Sequence, residues 1–277
     1  MAYEILRWEE KAFIKAAEKL GVRLQLLYMK GEPVKINGEK QVDADIVLQR
    51  SISHYVAMES TIALEAQGLR VVNSSDALSK CFDKLWTLSV AKKMGIPTPR
   101  TAVAFSTDAA HKAAEWLGYP VVVKPVNGSW GRLICMARDE EELRAIMEHR
   151  SYLPGMLSKV HLMQEYVRKP GRDIRVFVVG DEVPVAIYRV SQHWITNTAR
   201  GGKAVPANVD EELEEMSLKI TRALRGEVLG IDFFEDPERG YLLNEVNPIP
   251  EFKNTVVVTG YDLSLKIIEY VAEQAKR

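Results

Sequence analysis

The chain has 277 residues, of which 47% are hydrophobic and 27% are charged, enough for a substantial core divided among two or three subdomains. Its 37 basic and 38 acidic residues leave a formal net charge of -1, which excludes a general attraction to nucleic acid or to an anionic membrane. Glu4, Glu9 and Glu10 interrupt the N-terminal apolar stretch that a signal peptide needs, so the expected location is the cytoplasm. Cys81 and Cys135 have neither disulfide nor zinc spacing and are expected to be reduced thiols.

The first part of the chain alternates short apolar runs with helical patterns, and this rhythm predicts an N-terminal α/β domain over residues 1–80. The predicted helices of this stretch and its boundary cover residues 8–20, 54–67 and 77–94. Gly95 ends the last of them, since glycine readily adopts the left-handed conformation that closes a helix.

A small α+β unit follows and is predicted as a central domain over residues 81–160. Its strands are expected at the apolar runs TAVAF, YPVVVKP and RLICMA. Its helices are expected over residues 107–117 and 140–150. Strands and helices are thus interleaved in this unit.

From His161 onward, strands follow one another without helices between them. The runs HLMQEYV, DIRVFVVG and VPVAIYRV predict an antiparallel sheet, with a turn at Gly180 and Asp181. Next come a polar loop over 191–206, a helix over 211–224, the strands VLGIDFF and YLLNEVN, and a helix from Leu263. These elements predict a C-terminal domain over 161–277 and an overall α/β (α+β) fold class.

Three oxygen-bearing side chains on the last two strands are candidate metal ligands. Glu245 and Asn247 lie two residues apart in LNEVN, so they share one strand face, and Asp232 on the neighbouring strand can meet them. Hard oxygen ligands in small number are how proteins hold Mg²⁺ when substrate phosphates complete its coordination. An exposed strand face at the rim of a sheet is the alternative interpretation.

Two lysines and a glycine-containing loop are candidates for binding phosphate. Lys124 closes the apolar run VVV, where a buried ammonium is costly unless an anion lies near. Lys84 starts a helical pattern and by itself would be read as a solvated surface residue. The loop from Gly128 to Arg132 allows backbone amides to approach phosphate oxygens, although it is neither a Walker loop nor a GxGxxG motif.

Arginines in or beside the antiparallel strands supply a third signal. They are Arg172, Arg175, Arg189 and Arg200. Arg175 and Arg189 interrupt otherwise apolar strands, and guanidinium groups that converge on a cleft suit an anionic transition state. The alternative is ordinary salt bridges to Asp173 or Glu182.

These motifs, in this order, resemble the RimK-like ligases of the ATP-grasp superfamily. The residues that carry the resemblance are DKLWT, VVVKP, QEYV, GRDIR, NTARGG, GID and NEVN. Within that family, the runs GSWGRL, KPGRDIRVFVVG, HWITNTARGG and NEVN with EFKNT are similar to the LysX group, which joins α-aminoadipate to the amino-group carrier protein LysW. The resemblance covers nearly the whole chain and is looser over the first 70 or so residues.

The resemblance implies an ATP-grasp fold of three subdomains, with ATP and Mg²⁺ held between the central and C-terminal domains. It assigns nucleotide contacts to Lys84, Lys124, Gly128, Ser129, Trp130, Gly131, Arg132, Leu133, Ile134, Gln164, Glu165, Tyr166, Val167, Asp173 and Arg175. It places Mg²⁺ on Asp232, Glu245 and Asn247. The reacting groups would face Arg189, Asn197, Arg200 and Gly201.

The activity implied by the resemblance is a carboxylate–amine ligation. ATP would phosphorylate the side-chain carboxylate of the C-terminal glutamate of LysW, and the α-amino group of α-aminoadipate would attack the acyl phosphate, releasing phosphate after ADP. Arg189 is the first choice for stabilising the tetrahedral oxyanion, with Asn197 and Arg200 beside it. No nucleophilic side chain is required, and the chain offers no persuasive Ser/His/Asp or Cys/His set.

The choice of amino acid is expected to depend on the segment after the metal strand, with substrate contacts at Glu251, Phe252, Asn254 and Thr255. The LysX group carries Asn followed by Thr or Ser there, as this chain does, whereas its glutamate-specific relatives carry Gly-Phe. The preceding Pro248-Ile249-Pro250 departs from the His-Thr-Met of that group. α-Aminoadipate is therefore the predicted substrate, and dual use of glutamate stays open.

Several alternatives remain at this point. A glutamate–LysW ligase of arginine biosynthesis, or one enzyme for both amino acids, shares all of the ATP machinery. A ligase that adds glutamates to a ribosomal protein tail fits the LysX-like runs less well, and a non-catalytic ATP-binding protein would not need Asp232, Glu245, Asn247 and Arg189 together. The resemblance also implies a small acidic carrier protein as partner and a homodimer or homotetramer.

Overall fold

The computed structural model of the chain describes residues 1–37, 41–128, 130–155, 159–196 and 201–276. Within these ranges the helices are α1 (Trp8–Leu20), α2 (His54–Ala66), α3 (Ser75–Phe82), α4 (Lys84–Lys93), α5 (Thr107–Leu117), α6 (Glu140–Tyr152), α7 (Glu211–Leu224), α8 (Lys253–Thr259) and α9 (Leu263–Gln274). The strands are β1 (Ala2–Tyr3), β2 (Leu27–Tyr28), β3 (Ile46–Leu48), β4 (Arg70–Val72), β5 (Thr101–Ala104), β6 (Val121–Lys124), β7 (Cys135–Ala137), β8 (His161–Glu165), β9 (Arg172–Val179), β10 (Glu182–Val190), β11 (Lys203–Ala207), β12 (Val228–Asp236) and β13 (Gly240–Asn247).

The strands form three groups. β1 pairs with β2 and β3 with β4, all in parallel, and a bridge between Ala2 and Gln49 joins the two pairs. A four-stranded sheet has the order β5-β8-β6-β7, and a five-stranded sheet has the order β11-β10-β9-β12-β13. All pairings in these two larger sheets are antiparallel. This combination of helices with parallel and antiparallel sheets confirms the predicted α/β (α+β) class.

The five-stranded sheet buries apolar side chains on both faces. Ile174 and Val176 of β9 share one core with α7 and α4. Phe177, which points to the other face, shares a second core with Phe13 of α1 and Ile267 of α9. Because α1 comes from the N-terminal residues, the N-terminal region is packed directly onto the sheet that follows it by more than a hundred residues.

The four-stranded sheet buries only one face against helices. Val121 and Val123 of β6 share a core with α5 and α6. The intervening Val122 and the terminal Lys124 point to the opposite face because side chains alternate along a strand. That second face looks toward the five-stranded sheet, so a cleft lies between the two.

A β-bulge shapes the edge of the five-stranded sheet. Asp232 pairs with Glu245 and Phe233 pairs with Leu243, so Asn244 is an extra residue without a partner of its own. Leu243 and Phe233 belong to the core below the sheet. The bulge therefore turns two consecutive side chains, Asn244 and Glu245, toward the cleft.

The predicted single helix over 77–94 is two helices in the structure. Asp83 has an extended backbone, with φ -101° and ψ 108°, and its side chain accepts a hydrogen bond from the backbone N–H of Trp86. Asp83 thus ends α3 and caps α4, as aspartate commonly does at a helix N-terminus. As a result Lys84 is the first residue of α4 and lies where the chain changes direction.

The strand that starts at His161 also differs from the expectation. Its pattern resembles that of the strands after it, but β8 lies between β5 and β6, with Gln164 opposite both Thr101 and Val122. The predicted loop over 191–206 contains the start of β11, and α8 was not predicted. Strand partners are chosen by long-range packing, which local alternation does not encode.

Asn73 links the N-terminal region to the end of the cleft. Its Oδ1 accepts from the backbone N–H groups of Glu227 and Val228 at 2.7 and 3.1 Å. Its Nδ2 donates to the carbonyl oxygens of Val228 and Pro248, both at 2.7 Å. A buried amide with all of these bonds made fixes the segment after β13 relative to β4.

Cys81 and Cys135 are free cysteines, and Cys81 is buried. No helix among the described residues has the length and apolar character needed to cross a membrane.

Candidate active site

Three connected hollows run along the cleft. The lysine pocket lies between the two larger sheets and is lined by Val122, Lys124, Gln164, Phe234 and Asn244, among others. The junction pocket meets it at Lys84, Gly128 and Glu245. The outer pocket meets the junction pocket at Arg7, Arg175, Arg189 and Glu251. Cations thus line the whole path from one end to the other.

Lys124 is a buried ammonium whose partners are neutral. Only 4% of the residue is exposed, and Nζ donates to Gln164 Oε1 at 2.9 Å and to Asn244 Oδ1 at 3.0 Å. Burial, together with the nearby charge of Lys84, lowers the pKa of Lys124 to about 7, although Glu245 opposes the shift. A lysine held in this way gains most from an anion that enters the pocket.

The loop from Gly128 to Ile134 is anchored at two points. Lys84 Nζ donates to the carbonyl oxygen of Gly128 at 2.6 Å, and the buried Arg150 donates to the carbonyl oxygen of Leu133 at 3.3 Å. Trp130, and Leu133 at the second anchor, both have φ 58°, in the left-handed region that side chains normally avoid. Such residues cost about 1–3 kcal/mol each and mark segments held in place by their surroundings.

The wall of the lysine pocket opposite that loop is a short connection after β8. Gln164 bridges Lys124 and the hydroxyl of Thr101, to which its Nε2 donates at 3.0 Å. The Glu165 carboxylate accepts from Arg100 at 2.7 Å and from Arg239 at 2.6 Å. Burial would raise the pKa of Glu165, but these arginines lower it, so its carboxylate is committed to joining the two sheets.

A buried charge network separates the lysine pocket from the outer pocket. Arg189, only 2% exposed, donates through Nε to Asp173 at 2.7 Å and lies 2.9 Å from Asp232 through Nη2. Arg175 binds both oxygens of Asp232 at 2.7 Å. Burial would lower the pKa of Arg189, but Asp232 and Asp173 raise it, so this cation is permanent. No described residue accepts a bond from Nη1 of either arginine.

The candidate metal ligands share one face of the paired strands β12 and β13. Asp232 and Glu245 are direct cross-strand partners, and Asn247 lies opposite Gly230. Burial favours the neutral form of Glu245, but Lys84, Arg175 and other cations outweigh it and lower its pKa to about 2. Two carboxylates placed directly opposite each other repel unless cations lie between them.

The donor set fits Mg²⁺ by its chemistry. Within the described residues no three His, Cys, Asp or Glu side chains gather as a metal cluster, so the amide of Asn247 has to complete the set. Two carboxylates and one amide are hard oxygen donors of the kind that Mg²⁺ prefers. Oδ2 of Asp232 contacts both Arg175 and Arg189, whereas Oδ1 accepts from Arg175 alone and keeps a second lone pair for a cation.

The outer pocket is built on a segment that the N-terminal region holds from below. Glu9 Oε1 accepts from the backbone N–H groups of Phe252 and Lys253 at 3.1 and 3.0 Å. Arg50 Nη1 donates to the carbonyl oxygen of Pro250 at 3.1 Å. Gly230 lies against the same segment, since a Cβ there would be 2.9 Å from Pro250. The floor of the pocket is therefore rigid.

Most residues predicted to contact the nucleotide line the lysine pocket. They are Lys84, Lys124, Gly128, Gly131, Arg132, Ile134, Gln164, Glu165, Tyr166, Val167 and Asp173. Trp130, Arg175 and Arg189 line the junction pocket with Glu245, Asn247 and Glu251, and Asn254 and Thr255 line the outer pocket. Leu133, Gly201, Asp232 and Phe252 line none of the three hollows; Asp232 is fully buried, and the Phe252 ring is buried against Phe13 and Trp8. Ser129, Asn197 and Arg200 lie outside the described residues.

The structure adds residues that the sequence pattern did not single out. Asn244 reaches the lysine pocket because of the bulge, and Phe234 forms an apolar wall there. Lys169 Nζ lies 4.8 Å from the centre of the Phe234 ring and donates to the Thr196 hydroxyl at 2.8 Å. Arg7 reaches the junction pocket from the N-terminal region. Alternation along β12 would have suggested Phe234, whereas the others depend on long-range packing.

The arrangement combines three chemical environments in one cleft. The lysine pocket offers apolar walls and three ammonium groups, those of Lys84, Lys124 and Lys169, which suits a planar ring joined to phosphates. The junction pocket concentrates carboxylates and arginines, and the outer pocket offers cations beside small polar groups. Such an order allows two anionic reactants to meet at a phosphate.

Comparisons with known proteins identify the family of the chain. The chain matches the family model of the RimK-like ATP-grasp domain over residues 81–271 and that of the LysX preATP-grasp domain over residues 1–79. It is 46% identical to the α-aminoadipate–LysW ligase LysX of Sulfurisphaera tokodaii, covering 99% of this chain and 98% of that one. It is 38% identical to the glutamate–LysW ligase ArgX of the same organism, covering 98% of this chain and 96% of that one.

Solved structures show the same fold at lower identity. A RimK domain ATP-grasp protein of Sphaerobacter thermophilus superimposes with a TM-score of 0.79 at 21% identity, covering 98% of each chain. The ATP-grasp ligase PsnB, in complex with a minimal precursor, Mg and ADP, superimposes with a TM-score of 0.76 at 17% identity, covering 100% of this chain and 97% of that one.

Proposed function

The chain belongs to the RimK-like ATP-grasp family, and we propose that it joins the α-amino group of α-aminoadipate to the carrier protein LysW in lysine biosynthesis. It is an ATP-dependent carboxylate–amine ligase, and the carboxylate proposed here is the side chain of the C-terminal glutamate of LysW. The reaction passes through an acyl phosphate and releases ADP and phosphate. The observation that carries the choice of substrates is the end-to-end similarity to α-aminoadipate–LysW ligases, which exceeds that to glutamate–LysW ligases.

ATP is assigned to the lysine pocket. Its base would lie between the apolar walls at Val122 and Phe234, beside the connection from Gln164 to Val167. Its phosphates would extend toward Lys84 and Lys124. Lys124 donates to two neutral amide oxygens, whereas Lys84 donates to the Gly128 carbonyl and also lies 3.5 Å from a carboxylate oxygen of Glu245. A buried lysine without a carboxylate at contact distance stabilises a phosphate strongly because few protein anions compete for it.

Mg²⁺ is assigned to Asp232, Glu245 and Asn247. Glu245 lines both the lysine pocket and the junction pocket, Asn247 lines the junction pocket, and Asp232 is the buried cross-strand partner of Glu245. When bound, the ion offsets phosphate charge and draws electrons from the phosphoryl group. The surrounding residues keep these ligands ready, since Lys84 and Arg175 hold Glu245 ionised. Arg175 and Arg189 fix the orientation of Asp232 through both of its oxygens.

The chemical steps are assigned to the junction pocket. A carboxylate is a poor electrophile until its oxygen attacks the γ-phosphorus of ATP and becomes part of a good leaving group. The amine then adds to the carbonyl carbon of the acyl phosphate, and the negative charge moves to the former carbonyl oxygen. Arg189 and Arg175 each retain an Nη1 donor that could stabilise this oxyanion. Asn197 and Arg200 are proposed beside them on the family resemblance alone.

The outer pocket is assigned to the amino acid. Arg7 and Lys253 supply positive charge for its carboxylates, while Asn254 and the buried Thr255 bound the space for its side chain. The extra methylene that separates α-aminoadipate from glutamate is worth only about 1–3 kcal/mol in discrimination. Pro248 and Ile249 stand where the LysX group has His and Thr, which removes polar partners from the adjoining junction pocket and favours glutamate as a second substrate over strict selectivity.

The proposed function is tested by ADP release from ATP and Mg²⁺ with purified LysW and each amino acid. The expected result is turnover that requires both LysW and an amino acid, with a higher kcat/KM for α-aminoadipate than for glutamate. A preference for glutamate of more than about tenfold would reverse the assignment of the outer pocket. Turnover that needs no LysW would reject the carrier as partner, and ATP binding without turnover would indicate a non-catalytic protein.

The cytoplasmic location and a homodimer or homotetramer complete the proposal. The assembly is proposed on the family resemblance alone. Light scattering at micromolar protein concentration would test the assembly, and a monomer at all concentrations would contradict it.

A further inference from the structure

His54 has an imidazole ring held in one place beside the reacting groups. It is the first residue of α2, and its ring stacks on Phe82 with centroids 4.0 Å apart and an interplanar angle of 17°. Its Nδ1 lies 2.8 Å from Oδ1 of Asn127, in the segment after β6. The ring lines the junction pocket together with Lys84 and Glu245.

The bond to Asn127 determines which nitrogen carries the proton. An amide oxygen only accepts hydrogen bonds, so Nδ1 of His54 has to be protonated and to donate. The neutral ring then has its lone pair on Nε2, to which no described residue donates. His54 is thus a half-buried imidazole with a fixed tautomer and a free acceptor nitrogen.

The proposed ligation needs such an acceptor. An amino acid reaches the enzyme as an ammonium ion, which has no lone pair and cannot attack an acyl phosphate. One proton has to leave the nitrogen before the new bond forms, and a second has to leave when the tetrahedral intermediate collapses. The acyl phosphate and the phosphate that departs can take the second proton, but the first requires a base.

Other titratable groups of the junction pocket are unsuited to this task. The pKa of Glu245 is lowered to about 2, and burial raises the pKa of the Cys81 thiol to about 12. Glu251 forms a salt bridge with Arg7 at 2.7 Å. Lys84 is assigned to the ATP phosphates and lies 3.5 Å from Glu245, and the arginines stay protonated at any relevant pH. His54 is the described residue left with a lone pair that a substrate ammonium can reach.

We propose that Nε2 of His54 is the general base that takes a proton from the α-ammonium group of the amino acid, and this role rests on the proposed function. The freed lone pair forms the C–N bond at the carbonyl carbon, and the bond from that carbon to the phosphate oxygen breaks. The departing phosphate takes the second amine proton, and the third remains on the amide. The imidazolium returns its proton to solvent, so atoms and charges balance.

The surroundings keep His54 neutral near pH 7. Burial lowers the pKa of His54, and the charge of Lys84 on α4 lowers it further. The hydrogen bond to Asn127 and the charge of Glu245 on β13 act in the opposite direction without cancelling the shift. The partial positive charge at the start of α2 also disfavours the imidazolium. The acidic limb of the rate profile is therefore expected below the ordinary pKa of histidine.

The experiment compares two nucleophiles that attack the same acyl phosphate. The variant His54→Asn keeps an N–H group that can donate toward Asn127 but has no base. Hydroxylamine is mainly unprotonated at neutral pH and traps the acyl phosphate as a hydroxamate without needing one. In His54→Asn we expect the ratio of α-aminoadipate product to hydroxamate to fall about 100-fold at pH 7, the usual size of a general-base contribution.

The pH dependence gives a second readout that a purely structural role would not change. Without the base only free amine reacts, so kcat/KM for α-aminoadipate in His54→Asn should rise about tenfold per pH unit through the neutral range. The wild-type profile should be flat there. In Asn127→Asp the added negative charge should raise the His54 pKa and move the acidic limb to higher pH.

A proportional loss of both products in His54→Asn, with an unchanged pH profile, would overturn the role of His54. A wild-type protein that forms no hydroxamate with ATP and carrier would instead overturn the proposed function, and the role of His54 with it. The two failures are distinguishable because the second is visible before any residue is changed.

Discussion

The lysine pocket and the junction pocket both bury cations, but they neutralise them in opposite ways. Lys124 is held by two neutral amide oxygens, and its pKa is lowered to about 7. Arg189, equally buried, is held by the carboxylates of Asp173 and Asp232, and its pKa is raised. A buried cation without a carboxylate partner can still attract an anionic ligand. A cation held between two carboxylates is already neutralised and instead stabilises the fold.

The largest expected effect is on folding, at the framework cation. Arg189→Met leaves Asp173 and Asp232 buried with fewer partners, which should lower the free energy of unfolding by about 3–5 kcal/mol in a urea titration. The matched control is Arg175→Met, which should cost less because Arg175 is partly exposed and Asp232 keeps Arg189. Equal losses of unfolding free energy in the two variants would show that Arg189 stabilises the fold no more than the partly exposed Arg175.

The second largest effect is expected at Lys124, where a substitution should lower turnover without lowering stability. Lys124→Met removes a buried ammonium whose partners are neutral, so the free energy of unfolding should stay the same or rise. ATP affinity should fall, and turnover should drop about 100- to 1000-fold, as for other groups that stabilise transition-state charge. Lys203 is exposed, so the control variant Lys203→Met should change neither ATP affinity nor turnover. Calorimetric ATP affinity equal to wild type would make Lys124 structural.

Removing the negative charge of the proposed metal ligand Glu245 should lower turnover by a similar factor. Glu245→Gln keeps the size of the side chain but takes away a carboxylate, and kcat should fall about 100-fold or more at saturating ATP. Far-ultraviolet circular dichroism should be unchanged, because Glu245 lies at a strand end that faces the cleft. Activity restored by high Mg²⁺ concentration in Glu245→Gln, but not in Lys124→Met, would sharpen the ligand role. Turnover near wild type without added Mg²⁺ would reject it.

Substitutions in the outer pocket should change the selectivity between α-aminoadipate and glutamate without changing ATP binding. Replacing Asn254 by Gly and Thr255 by Phe places a ring where the buried threonine lies, filling space for the longer amino acid. The ratio of kcat/KM for α-aminoadipate to that for glutamate should fall about 10- to 200-fold, the range of one methylene. KM for ATP should not change, since neither residue lines the lysine pocket. A changed KM for ATP would show that the two pockets are coupled.

The smallest effect is a proton taken up with ATP. Since the pKa of Lys124 is about 7 without ligand, at pH 8 the amine is mostly neutral, and phosphate binding should restore its proton. ATP affinity should therefore weaken by up to about tenfold per pH unit above pH 7. In the absence of ATP, the free energy of unfolding is expected to change with pH in the opposite direction to the ATP affinity. The unfolded lysine binds its proton up to a higher pH than the folded one, so stability should increase from pH 7 toward pH 10.

Calorimetry in buffers with different ionisation heats measures this proton directly. Uptake should be present in the wild type at pH 8 and absent in Lys124→Met. Proton uptake in both proteins would assign the proton to another group. Lys124 would then not differ from Arg189 in its protonation.

Much of the framework follows from local signals. The helices over Trp8–Leu20, Thr107–Leu117 and Glu211–Leu224 were predicted at the bounds that the structure has, because each combines apolar periodicity with a clear end. Alternation placed Glu245 and Asn247 on one face, and the family resemblance was confirmed by the comparisons. Lys124 was identified because a lysine after three buried valines needs a special partner.

What the sequence by itself determined is therefore the elements, the family and the residue types of the cleft. Only the tertiary structure decided that β8 joins the four-stranded sheet, that a bulge turns Asn244 into the cleft, and that Arg7 and His54 reach it from the N-terminal region. The physical reason is that local periodicity depends on neighbouring residues, whereas strand partners and charge partners are selected by burial between segments far apart in the chain.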